Sequence, residues 1–109
     1  MDYQTFLTAV IDRASGRGSV TSQAAINAAL DRCRGKDETA LLAEWEAAKK
    51  RVDEACRVGQ YDAFAGLGAE QFVIEWVISC IAAFRGRKLL PWSPGTRATR
   101  EALEILRSA

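Results

Sequence analysis

The chain has 109 residues, 49% of them hydrophobic and 27% charged, with a formal net charge of +1. That length supports one hydrophobic core but not two, and the composition is that of a folded protein spanning 1–109 as a single domain. Near-neutrality excludes a molecule held to nucleic acid or anionic membrane by bulk charge, although residues 85–109 carry six bases against two acids.

Apolar residues recur at helical spacing nearly throughout, and no stretch alternates with period two for long enough to make a strand. The first helix is expected from about Tyr3 to Ala14. Asp2 is its N-cap, and Phe6, Leu7, Val10, Ile11 and Ala14 are its buried stripe. An acid at position 2 and polar residues within the first apolar run argue against a secretory signal, so a cytoplasmic protein is expected. The turn SGRGSV follows.

Thr21 then caps a second helix, Ser22 to Arg34, with Val20 placed as a hydrophobic staple and Ile26, Ala29, Leu30 and Cys33 facing inward. Gly35 ends it. Asp37 opens a long third helix to about Val58. Its apolar positions Leu41, Trp45, Ala48, Val52 and Ala55 alternate in steps of four and three, the seam of helices packed side by side. Glu46 with Lys50 and Asp53 with Arg57 are i,i+4 pairs of favourable order. Gly59 closes the helix, and QYDAFAGLG reads as a loop with one helical turn near Asp62.

A fourth helix is expected from about Ala69 to Phe84. Its apolar run Phe72–Phe84 is shorter than a membrane span and holds Glu75 near its centre, so no membrane association is expected. Phe72, Val73, Ile74, Trp76, Val77, Ile78, Ile81 and Phe84 cover most of its circumference. Such a helix needs burial on several sides, and any uncovered strip around Trp76 would serve a homodimer. Gln71, Glu75 and Ser79 make one narrow polar line along it. That line is either its solvent edge or a carboxylate set to meet a ligand or a partner's arginine; the rarity of buried unpaired carboxylates favours the edge. After the two prolines a last helix runs from Pro94 or Thr96 to Ser108. The result is an all-α, compact bundle of about five helices, with Trp45, Val52, Phe72, Trp76, Ile78 and Leu106 expected together in its core.

The chain contains no histidine, which removes the usual base near neutral pH, the Ser-His and Cys-His pairs, and the commonest zinc ligand. Cys33, Cys56 and Cys80 are more than twenty residues apart and form no metal-ligand spacing. All three read as reduced thiols acting as small buried hydrophobes. No catalytic, cofactor-binding or metal-binding residue is therefore expected, and the protein reads as no enzyme.

Two stretches carry candidate contacts. In RGRKLLPWSPGTR the cations can complement the carboxyl end of the fourth helix, while Leu89, Leu90 and Trp92 close over the bundle end. The same stretch, together with Arg100 beyond it, can serve as a partner surface built from Arg85, Arg87, Lys88, Trp92, Arg97 and Arg100, because Trp and Arg concentrate binding energy. On the outer face of the second helix, Gln23, Asn27 and Arg34 resemble the polar face of a helix that reads DNA, but the preceding turn is long and Asp31 would repel phosphate. The expected function is a small non-catalytic regulatory or inhibitory protein acting through protein–protein contacts. The alternative is a nucleic-acid-binding regulator using the second helix or the basic C-terminal segment.

Overall fold

Asp2 begins the first helix as its spacing predicts: backbone at φ −79° and ψ 167° lets its carboxylate accept from the Thr5 amide at 2.7 Å. That bond holds the Asp2 carboxyl below its ordinary pKa, because only the charged form accepts it fully. The computed structural model describes residues 1–87 and 95–108. They form an all-α bundle of five helices: α1 (Tyr3–Ala14), α2 (Gln23–Cys33), α3 (Glu38–Val58), α4 (Phe64–Phe84) and α5 (Gly95–Arg107). A short 3-10 turn, Tyr61–Ala63, leads into α4, and no strand occurs among the described residues. Leu89, Leu90 and Trp92, read as a cover for the bundle end, lie outside the described residues.

Helix α4 is the axis of the bundle, and each of the other four helices packs on it. Val73, Ile74, Trp76, Val77, Cys80 and Ile81 are buried on it, meeting the whole predicted stripe of α1 and Ala29, Leu30 and Cys33 of α2. With 21 residues it is long and apolar enough to cross a membrane, longer than the segment from Ala69 that the sequence suggests. Its burial against four neighbours accounts for the same composition. Of the expected loop QYDAFAGLG, the helical turn near Asp62 is present as Tyr61–Ala63, but Phe64–Gly68 are the start of α4: Ala65, Leu67 and the following Ala69 have enough helical preference to carry Gly66 and Gly68.

Helix α3 is opened by Asp37, whose carboxylate accepts from the Ala40 amide at 2.8 Å. It ends in a Schellman arrangement: Gly59 is left-handed at φ 73°, and Gln60 N–H donates to Ala55 O at 2.9 Å. Leu41, Ala48 and Ala55 lie seven residues apart on one line and are buried. Trp45 and Val52, expected in the core, sit on the flank of that line and are only half-buried, because the small alanines bring the backbones together along the line itself. Ile78 and Leu106 are likewise half-buried, and Phe72 stands 56% exposed, so of the expected core group only Trp76 is buried.

Other local expectations change. Val20 is 94% exposed and staples nothing. Helix α2 starts after Ser22, whose side chain does not cap it; the hydroxyls of Ser19, Thr21 and Ser22 bond to one another instead and turn Val20 outward. Cys33 and Cys80 are buried, but Cys56 is exposed, since it lies about 100° around α3 from the buried line through Ala55. Glu46–Lys50 and Asp53–Arg57 do not appear among the ion pairs of the described residues, and Arg57 bonds to Glu54 instead.

Candidate functional site

The residues singled out in the sequence are dispersed. At the carboxyl end of α4, Arg85 lies over the rings of Tyr3 and Phe84, 5.2 and 5.5 Å from their centroids. Phe84 stacks on Phe6 at 4.6 Å, and the Tyr3 hydroxyl donates to Lys36 O at 2.7 Å, so Arg85 caps an aromatic joint between α1, α4 and the start of α3. Arg87 pairs with Glu38. Arg97 and Arg100 are exposed on α5, and Lys88 and Trp92 lie outside the described residues.

The polar face of α2 holds its own chain together. Gln23 Nε2 donates to Gly16 O, and Asn27 Oδ1 accepts from Gly16 N–H at 3.2 Å, so both side chains fasten the turn after α1. Arg34 lies 3.3 Å from both Asp12 and Asp31. The polar line on α4 is a half-covered edge: Gln71 and Glu75 are half-buried, and Ser79, which is buried, donates to Glu75 O at 2.9 Å.

One concavity stands out; of the candidate residues it takes in Arg97, and it runs beside Trp76, around which an uncovered strip was expected to serve a homodimer. A groove of about 830 Å³ is lined by Ala14, Ile26, Ala69, Phe72, Val73 and Trp76, with Gly18 and Gly68 at its wall and the side chains of Arg17 and Arg97 at its rim. Its two cations share one acid. Arg17 Nη1 donates to both oxygens of Glu101, at 2.9 and 3.1 Å, and Glu101 is 7% exposed. Arg97 Nε is 3.9 Å from the same carboxylate, beyond hydrogen-bonding distance, and its side chain is 71% exposed. Among the described residues, no acid lines the groove itself.

Gly66 and Gly68 differ in their surroundings. A Cβ on Gly66 would touch the Ala25 Cβ at 3.8 Å, so that glycine lies against α2. A Cβ on Gly68 would meet nothing within 4 Å, although glycine inside a helix costs about 1 kcal/mol relative to alanine. Packing within the chain does not require Gly68, and its position keeps the groove wall low.

Neither buried thiol is an activated nucleophile. Burial raises the Cys33 thiol to about 11 and the Cys80 thiol to about 12, with nearby Glu44 and Glu101 adding to the respective shifts. Both are protonated at neutral pH, and Cys80 donates to Ala98 O at 3.5 Å. No group of three His, Cys, Asp or Glu side chains suited to a metal occurs among the described residues. Sequence reasoning allowed an uncovered strip around Trp76 but missed the part of Gly68 and Phe72 in the groove, because it read Gly68 as loop and Phe72 as core. The available signal was AGLGAE itself, where alanine, leucine and glutamate favour continuing the helix.

Compared with models of protein families, with curated proteins and with solved structures, the chain matches no family model, no curated protein and no solved structure.

Proposed function

We propose that this chain is a small non-catalytic regulatory or inhibitory protein that works by binding another protein, with the groove beside Phe72 as its contact surface. The observation behind this reading is Phe72, a large aromatic left 56% exposed on the most apolar helix of the bundle, beside an open apolar groove. Exposed aromatics in apolar concavities are where binding energy concentrates, because their burial removes much apolar surface with little loss of rotamer freedom. Arginine at the rim suits the same role, since its planar guanidinium pairs with carboxylates while its stem packs on apolar surface.

The test is affinity capture from the source cell with the wild-type chain and with Phe72→Glu, followed by hydrogen exchange on the captured complex. A partner held by wild type and lost with Phe72→Glu, with amide protection along Gly68–Trp76, supports the reading. Equal capture by both proteins, or protection only on α2 and the carboxyl end of α5, refutes it. Binding to random duplex DNA with a steep salt dependence would instead support a phosphate-contacting regulator.

A further inference from the structure

We infer that the groove takes an amphipathic helix from a partner protein, one whose apolar face carries an aspartate or glutamate positioned to meet Arg97. This rests on the protein-binding reading above and adds the chemistry of the bound element.

Charge at the groove rim identifies the complement. Two guanidinium groups face the groove and one carboxylate serves them, already bonded through both oxygens to Arg17. Arg97 stands in the first turn of α5, where the helix dipole is positive and a cation is unfavourable. No acid occupies that first turn. Arg97 is thus a cation placed where the stability of α5 does not favour one, and an incoming carboxylate would pair with its guanidinium.

The shape of the groove indicates the form of the ligand. Helix α4 forms one long wall through Gly68, Ala69, Phe72, Val73 and Trp76, facing Ala14, Gly18 and Ile26, and its lining carries no polar side chain apart from the two arginines. Grooves of this kind accept the apolar face of a helix through anchors at i, i+3 or i+4, and i+7. Gly68 provides the second, independent indication: a helix-interior glycine with open space above it allows a close approach of the ligand that any side chain would obstruct.

The experiment is selection from a displayed library of helix-forming peptides of about 15 residues, long enough to carry such anchors. Selection is run against wild type, Gly68→Leu and Arg97→Glu, each verified as folded by circular dichroism and melting. Wild type should enrich peptides with helically spaced apolar residues flanked by Asp or Glu. Gly68→Leu should lose them. Arg97→Glu should weaken them by about tenfold or more and be rescued by Lys or Arg at the acidic position, as a charge-assisted pair requires. Enriched peptides that need Gly68 but show no acidic preference overturn the charge inference and leave protein binding standing. No groove-dependent peptide at all overturns both, and a groove that binds decanoate while selecting no peptide overturns the helix in favour of a small amphiphile.

Discussion

Replacing Gly68 by alanine should stabilise the free protein, because the two energies that set the sign are both readable from the structure. The Cβ would lie more than 4 Å from any neighbour, so there is no steric cost. The helix is formed at this position, so the gain is the propensity difference, about 0.5–1 kcal/mol, arising mainly from the smaller backbone freedom of alanine in the unfolded chain. Gly59→Ala provides the opposite case. Gly59 is held at φ 73° by the end of α3, and there a Cβ costs about 1–2 kcal/mol, although Tyr61 at 3.8 Å offers no clash. The two alanine variants should therefore differ by about 1.5–3 kcal/mol in urea unfolding, with similar slopes because the exposed area hardly changes. In melting experiments Gly68→Ala should rise by a few degrees and Gly59→Ala should fall by more. A Gly68→Ala variant as unstable as Gly59→Ala would refute the reasoning, since it would mean that α4 is not helical at Gly68 or that the groove wall is packed.

The flat cost of a mutation should follow burial and not apolarity along α4: Ile74→Ala, at a fully buried site, should lose about 2–5 kcal/mol, whereas Phe72→Ala should lose under about 1 kcal/mol in chemical denaturation. A thiol reagent should label Cys56 at once in the native protein and Cys33 and Cys80 only after unfolding, with equal labelling of all three refuting the burial pattern. Stability should also fall at alkaline pH. The folded thiols of Cys33 and Cys80 are raised to about 11 and about 12, so the unfolded chain releases its protons first and the native state loses about 1.4 kcal/mol per pH unit per thiol. That loss begins above the ordinary thiol value and ends at the folded values, and it should diminish in Cys80→Ala compared with wild type at its own neutral-pH stability.

What was legible in the linear sequence is local. Asp2 and Asp37 as caps, Gly59 as a stop, and the stripe from Phe6 to Ala14 depend on interactions within one or two turns, and each is found where its spacing places it. The five-helix, all-α architecture follows from the same short-range periodicity. Tertiary structure alone decided which apolar residues of α4 are inside. Helix α4 is apolar on nearly every side, so its composition cannot distinguish Ile74, enclosed by its neighbours, from Phe72, left beside the groove. Likewise, only the approach of α5 to the turn after α1 brings Arg17 to Glu101, 84 positions away, because a pairing of that kind depends on packing and leaves no period in the chain. The groove depends on both, being the space that α2, α4 and the first turn of α5 leave unfilled when their buried stripes have met.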